Sequence, residues 1–151
     1  MATAGDHPAA AALLESCGAN MVNDAAEDGS TALHNAARAG ATEVAALLLG
    51  RGADLGAMNV QQRRPLQIAV MARQLRTAQL LLERLADVAA QDVVGGSALH
   101  NAVAGANTEL TALLLNHGAP ASATDLNGGT ALHIAASCWH SQSSRSAGAA
   151  C

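Results

Sequence analysis

The fold of this chain is decided by a seven-residue stretch, TALHNAA at residues 31–37, which the sequence repeats in modified form. The related stretches are RPLQIAV at 64–70, SALHNAV at 97–103 and TALHIAA at 130–136. Successive stretches begin 33 residues apart. A fixed period of this length indicates an array of similar structural units, each of which packs against its neighbours.

A second, leucine-rich motif follows each of the first three stretches at a constant distance. It reads Leu47-Leu48-Leu49, Leu80-Leu81-Leu82 and Leu113-Leu114-Leu115, and behind it lie Gly52-Ala53, Leu85-Ala86 and Gly118-Ala119. An incomplete copy, Leu13-Leu14 with Gly18-Ala19, precedes them. Two apolar motifs per period predict two α-helices per unit, a first helix and a second helix.

Local signals agree with this pairing of helices. Thr31 and its equivalents can cap the first helix, because a hydroxyl accepts hydrogen bonds from the free N–H groups of the first turn. Leucine and alanine, such as Leu33 and Ala36, recur three residues apart and share one face. We therefore expect burial at equivalent places for Leu33, Leu66, Leu99 and Leu132. Leu85 stands where its sister units have glycine at a left-handed helix end, so a strained backbone is expected there.

These motifs resemble the ankyrin repeat, whose pattern is T-P-L-H-x-A-A, then a glycine, then a leucine-rich second helix ending in G-A. The resemblance runs from about Leu13 to His140. The sequence departs from the pattern in two ways. Only one unit keeps the proline, as Pro65, and in that unit Arg64 and Gln67 replace threonine and histidine. The resemblance implies an all-α, ankyrin-type helical repeat solenoid with short β-hairpin fingers between units, at 56–61, 90–95 and 122–128.

We predict one ankyrin repeat array over residues 1–140 and a disordered tail at 141–151. The units of the array are a partial unit at 1–26, full units at 27–59, 60–92 and 93–125, and a partial unit at 126–140. The tail is Ser, Ala and Gly with one Arg and has no apolar periodicity. The last unit shows no second helix, so we expect apolar surface near Trp139 to stay uncovered and to favour self-association.

Composition bears on the class of partner and on the compartment. The chain has 12 acidic and 8 basic residues, a formal net charge of −4, so nucleic acid is not an expected partner. The three cysteines lie far apart without a C-x-x-C pair, which predicts neither a disulfide framework nor a metal site. No leader and no membrane-spanning apolar run is recognisable, so we expect a cytoplasmic or nuclear protein without membrane insertion.

Catalysis is not expected from this sequence. His34, His100 and His133 occupy one position of the repeat, whereas a general base needs a unique cleft and partners. In the ankyrin family this histidine bonds near the helix start and ties adjacent units together. G-x-S-x-G, H-E-x-x-H and G-K-[ST] motifs do not occur. We predict no enzyme, no catalytic residue, no metal, no cofactor and no small-molecule substrate.

The resemblance implies a partner protein bound on the concave face that finger tips and first helices form. We therefore expect a non-enzymatic protein–protein interaction module or scaffold; the alternative is a structural or regulatory segment of a larger, possibly enzymatic protein. Arginines concentrated in the unit 60–92 predict acidic groups on the partner. By register, the candidate partner-binding residues are Glu27, Asp28, Ser30, Arg38, Gln61, Arg63, Arg64, Met71, Arg73, Val93, Val94, Leu126 and Asn127.

Overall fold

The computed structural model describes Ala12, Ser16 and residues 21–144. This part of the chain contains seven α-helices and no β-strand, as an all-α solenoid requires. In chain order the helices are α1 (Ala32–Ala39), α2 (Thr42–Gly50), α3 (Pro65–Met71), α4 (Leu75–Glu83), α5 (Ala98–Ala104), α6 (Thr108–Asn116) and α7 (Ala131–Ser144).

The helices pair within units and stack between units. In the three full helix pairs the first helix packs on the second: α1 on α2, α3 on α4 and α5 on α6. The first helices α1, α3, α5 and α7 form one row, and the second helices α2, α4 and α6 form another. Every unit therefore contacts only its neighbours in the chain, as in other repeat solenoids.

The core runs along the array between the two rows of helices. Leu33 is 0% exposed, and Leu66 and Leu99 are each 2% exposed, which confirms the prediction for these three leucines. The prediction is wrong for Leu132, which is 73% exposed. Neither a second helix of its own unit nor a following unit lies beside α7 among the described residues, so nothing there covers Leu132.

Helix α7 is longer than the other first helices. The others end just before a residue with a left-handed backbone, which is Gly40, Arg73 or Ala106 (φ 71°, 61° and 53°). At the equivalent position, Trp139, α7 continues, and it reaches Ser144. The first four residues of the segment 141–151, which we expected to be disordered, are thus helical, and residues 145–151 lie outside the described part.

Tight turns, not β-hairpins, connect the units, so that part of the prediction is wrong. In one such turn the Asp92 N–H donates to the Gly96 carbonyl at 2.9 Å. The Asp92 carboxylate closes the turn by accepting from the N–H groups of Val94 (3.1 Å) and Gly96 (2.8 Å). An isolated bridge between Gln91 and Ser97 is the one β-type pairing in the described residues. The backbone groups are satisfied within the turn, which leaves no strand pair to form.

Neighbouring turns also bond to one another. The Val93 N–H donates to the Gln61 carbonyl at 3.1 Å, and the Leu126 N–H donates to the Val94 carbonyl at 3.2 Å. Gly95 has φ 77°, and a Cβ atom there would come within 2.8 Å of the Leu126 nitrogen. Glycine is needed at this position for two reasons: it adopts the left-handed backbone without strain, and its missing Cβ leaves room for the next turn.

The repeated histidine ties each unit to the next turn, as the resemblance implied. His34 Nδ1 accepts from the Thr31 N–H at 3.1 Å, and its Nε2 lies 2.9 Å from the Arg63 carbonyl oxygen. Since Nδ1 is an acceptor, the ring is neutral and Nε2 carries the proton that it donates. His100 Nε2 lies 3.1 Å from the Gly129 carbonyl oxygen in the same arrangement.

Glutamine performs the same task in the unit that lacks the histidine. Gln67 Oε1 accepts from the Arg64 N–H at 2.9 Å, and Gln67 Nε2 donates to the Gly96 carbonyl at 3.0 Å. Gln67 is 1% exposed. Its amide offers the acceptor and the donor of a neutral imidazole without a titratable group.

The expectation that the cysteines form no disulfide is wrong for Cys138. Cys138, in α7, is disulfide-bonded, and its partner cysteine lies outside the described residues.

No helix in the described part of the chain has the length and apolar character needed to cross a bilayer.

Replacing Leu85 by glycine should stabilise the array. Leu85 has φ 66°, while the equivalent Gly52 and Gly118 have φ 90° and 84°. Because its side chain is 89% exposed, its removal costs little packing and relieves strain of about 1 kcal/mol. Urea denaturation should show a higher midpoint for Leu85→Gly and a lower one for the reverse control, Gly118→Leu. A less stable Leu85→Gly variant would mean that the leucine contributes contacts that outweigh the strain.

Acid should destabilise the array through His34. Burial lowers the pKa of His34 below its ordinary value of about 6.5, so the unfolded chain binds this proton first. The contribution to stability is fully present above about pH 6.5 and is lost as the pH falls towards the pKa of the folded state. His34→Gln should keep both hydrogen bonds, as Gln67 does. Its free energy of unfolding should differ less between about pH 7.5 and about pH 5.5 than that of the unmodified chain. Gln67→His is the matched control and should enlarge that difference; equal pH dependence in all three proteins would contradict the mechanism.

Candidate partner-binding face

A shallow cavity of about 270 Å³ lies between α1, α3 and the turn that precedes α3. Its lining residues are Arg38, Gln61, Arg63, Ile68, Met71 and Ala72, and we call it the Arg38 groove. Four of them were predicted from the repeat register to bind a partner: Arg38, Gln61, Arg63 and Met71. The structure therefore brings together residues from two units that the sequence separates by more than 20 positions.

Arg63 is held by partners within the protein. Its Nε lies 3.3 Å from Asp92 Oδ2, and its Nη1 donates to Gln61 Oε1 at 2.8 Å. The Asp92 side chain is 2% exposed and the Arg63 side chain 23% exposed. Removing Arg63 would leave a carboxylate with little solvent contact and no counter-charge, so this arginine also has a structural role.

Arg38 is the freer cation of the groove. It is exposed, and its guanidinium is hydrogen-bonded to no residue of the described part of the chain. Its charge acts on Asp28, whose pKa lies below the ordinary value because the Ser30 N–H (3.0 Å) and hydroxyl (2.9 Å) donate to the carboxylate, with Arg38 adding to that effect. Ser30 is 3% exposed, so its hydroxyl serves the turn and has little surface for a partner.

The other predicted arginines do not join this groove. Arg64 Nη1 lies 3.0 Å from Asp87 Oδ2, at the start of α3. Arg73 follows the other end of α3, and its Nη2 donates to the Gly105 carbonyl at 2.7 Å. Arg64 and Arg73 thus lie beyond opposite ends of a helix about 10 Å long, and each guanidinium is bonded to a different group of the protein.

The remaining predicted residues lie at the tips of the turns. Val93, Val94 and Leu126 are 51%, 56% and 76% exposed. Glu27 and Asn127 are also exposed. Since backbone hydrogen bonds join neighbouring turns, these tips form a row that is acidic at its first end and apolar further along.

Asn101 is a residue that the sequence reasoning missed. Its side-chain Nδ2 is buried and has no hydrogen-bond partner in the described residues. Asn101 is one repeat further along than Ile68, which lines the Arg38 groove, and Ile134 occupies the same position of the last unit. Asn35 occupies the same position of the first unit, so asparagine and isoleucine alternate along the array and no signal in the sequence marks the buried amide. A buried N–H group without an acceptor costs about 1–3 kcal/mol, so Asn101 is a candidate for a local loss of stability.

The chemistry of the Arg38 groove suits the binding of a carboxylate beside an apolar group. Two guanidinium groups flank it, and Met71, 44% exposed, offers a flexible apolar contact. No group of three His, Cys, Asp or Glu side chains that could hold a metal occurs among the residues that the structure describes.

Comparison with known proteins agrees with the stacked helix pairs. A family model described as "Ankyrin repeats (3 copies)" matches residues 1–92, and one described as "Ankyrin repeats (many copies)" matches residues 99–144. A search of the curated proteins finds no match. The first family match alone covers more than half of the 151 residues, and the second covers the helices that follow. The chain therefore belongs to the ankyrin repeat family.

Proposed function

We propose that this chain is a non-enzymatic protein–protein interaction module and that its partner docks an acidic group in the Arg38 groove. Ankyrin repeats are generally modules of this kind. The observation that carries the finer proposal is the exposed Arg38 guanidinium, without a hydrogen-bond partner in the described residues, beside the exposed Met71.

The chemistry of the groove defines the partner. A guanidinium binds a carboxylate through two parallel hydrogen bonds, which give orientation as well as attraction. Arg63 adds positive charge on the opposite wall, although Asp92 balances part of it. Ile68 and Met71 supply an apolar floor. The partner segment therefore presents Asp or Glu next to a large apolar side chain.

Exposed turn tips extend this surface beyond the groove. Val93 and Val94 lie one repeat further along the array, and Leu126 lies a repeat beyond them. Apolar side chains at the centre of an interface contribute most of the binding energy, while charged groups at the rim set orientation and association rate. A segment that begins at the Arg38 groove and runs along the turns would use both.

Arg38→Gln tests the groove because the Arg38 guanidinium has no described hydrogen bond to lose, while the backbone carbonyl that accepts from Gln74 Nε2 is unchanged. Peptides selected from a random display library against the intact chain should be enriched in Asp or Glu beside apolar residues. Binding of a selected peptide should weaken about tenfold in Arg38→Gln, which corresponds to about 1.4 kcal/mol, and added salt should weaken binding to the unmodified chain.

Arg84→Gln is the matched control, since Arg84 is exposed at the end of α4, away from the groove. It removes the same charge and should bind the peptide as the unmodified chain does. Arg63→Glu is a poorer probe, because it would place a second carboxylate against Asp92 and lower stability. Selected peptides without acidic residues, or full binding by Arg38→Gln, would remove the Arg38 groove from the interface.

Asn101→Ile should separate stability from binding. Isoleucine stands at the equivalent Ile68 and Ile134, whereas the asparagine at Asn35 is exposed, and the substitution removes a buried N–H group that has no described acceptor. We expect the urea midpoint to rise by an amount equal to about 1 kcal/mol, while the selected peptide binds as it does to the unmodified chain, because the buried Nδ2 has no surface for a partner and does not line the Arg38 groove. If the variant is less stable, the amide is satisfied in solution; weaker peptide binding would mean that Asn101 takes part in the interface.

A further inference from the structure

The turn that precedes α7 contains the dipeptide Asn127-Gly128, the one place in the sequence where glycine follows asparagine. Both residues are exposed, and Gly128 has φ 78°. The Asn127 backbone N–H donates to Asp125 Oδ1 at 2.8 Å, but the Asn127 side-chain amide is hydrogen-bonded to no residue in the described part of the chain. The turn therefore places an unbonded amide next to the nitrogen of a residue that has no side chain.

This turn is bonded to a neighbouring turn on one side only. In each earlier turn the carbonyl at the position of Asn127 accepts a hydrogen bond from the turn that follows. The donor and acceptor pairs are Val60 and Asp28 (2.9 Å), Val93 and Gln61 (3.1 Å), and Leu126 and Val94 (3.2 Å). No described residue donates to the Asn127 carbonyl. The backbone of the last turn thus lacks a contact that holds each of the others.

The space around the glycine of each turn differs in the same way. A Cβ atom on Gly29 would lie 3.0 Å from Asn59 Cα, and one on Gly95 would lie 2.8 Å from the Leu126 nitrogen. No described atom lies within 4 Å of a Cβ atom on Gly128. The backbone of the earlier turns is confined by the turn that follows, whereas the backbone around Gly128 has room to change its conformation.

We propose that Asn127 is a site of spontaneous deamidation and that the one-sided attachment of its turn permits the reaction. The Gly128 nitrogen attacks the side-chain carbonyl carbon of Asn127, and a new N–C bond closes a succinimide ring. The bond from that carbon to Nδ2 breaks, and ammonia leaves with the proton of the attacking N–H group. Water then opens the ring at either carbonyl and gives aspartate or isoaspartate. Water is the only other reactant, and no electrons are transferred.

The hydrogen bonds of the turn set the rate. The Gly128 N–H donates to the Asp125 carbonyl at 3.0 Å, so this bond has to break before the nitrogen can attack. In the earlier turns the bond from the following turn would have to break as well. One backbone hydrogen bond changes the population of an open turn on the order of tenfold. Glycine adds no side chain that would obstruct the attack.

Deamidation alters the contact that ties the last unit to the array. His100 Nε2 lies 3.1 Å from the Gly129 carbonyl oxygen, and the Gly129 N–H donates to Asp125 Oδ1 at 2.8 Å. Isoaspartate at position 127 lengthens the main chain by one carbon atom and displaces Gly129 from these partners. Either product also places a second carboxylate near Asp125, and like charges repel. We therefore expect α7 to be held less firmly after the reaction.

The test is incubation of the intact chain in warm, mildly alkaline buffer, followed by mass spectrometry and labelling with an isoaspartate-specific methyltransferase. A protease that cuts before aspartate releases a peptide that begins at Asp125. A growing share of this peptide should carry a carboxyl group in place of the Asn127 amide, and it should accept the methyl label. Asn127→Gln should lose both signals, because the longer side chain closes such a ring poorly. Asn116→Gln, which changes an exposed asparagine at the end of α6, should keep them.

Val94→Asn is the matched variant, because it places the same dipeptide, with Gly95, one repeat earlier at a side chain that is 56% exposed. That turn is bonded to the following one, so the substituted position should react on the order of tenfold more slowly than Asn127. Hydrogen exchange in α7 should become faster in the incubated chain but not in Asn127→Gln.

Two results would overturn the proposal. One is equal rates at Asn127 and at the position substituted in Val94→Asn, since the attachment of the turn would then not matter. The other is an intact chain that keeps its Asn127 amide while a short peptide of residues 121–131 loses it, since the turn would then protect the amide. Peptide binding at the Arg38 groove is a separate readout, so the outcome for the proposed function does not depend on this one.

Discussion

The structure depends on one constraint, which is that no unit can bury its own apolar face. Leu33 and Leu66 have almost no solvent contact, while Leu132, on a helix with no further helix beside it in the described part, is largely exposed. Hydrophobic packing is not directional, so the register between units needs a second interaction. His34 and Gln67 provide it by donating from each first helix to a carbonyl of the next turn. The turns, and the residues at their tips, are placed by these contacts.

Periodicity predicted the features that depend on local geometry. The helix pairs and the left-handed backbone at Leu85 follow from a residue's place in its own unit. Features that depend on a neighbour were missed. Leu132 has the right position but no described cover, and the turn at Asp92 is closed by its own carboxylate and by the next turn, so strands do not form there.

The candidate site shows the same division. Register predicts that Arg38 and Met71 share a face, and both line one groove, because a position on the first helix fixes the direction of the side chain. It does not indicate which charges are already paired. Arg63 meets Asp92, 29 residues away, and that contact follows from the stacking of two turns. The buried amide of Asn101 is likewise visible only when its surroundings are known.

Backbone strain is concentrated in the middle of the array. Gln62, Arg73 and Leu85 have left-handed backbones without being glycine, and all three lie in the unit 60–92. Each such residue costs about 1 kcal/mol or more. The same unit buries six consecutive residues of α3, 65–70, against the units on both sides. We therefore expect the loss of either neighbour to destabilise this unit strongly, so that the described array melts as a single cooperative block instead of fraying unit by unit from its ends.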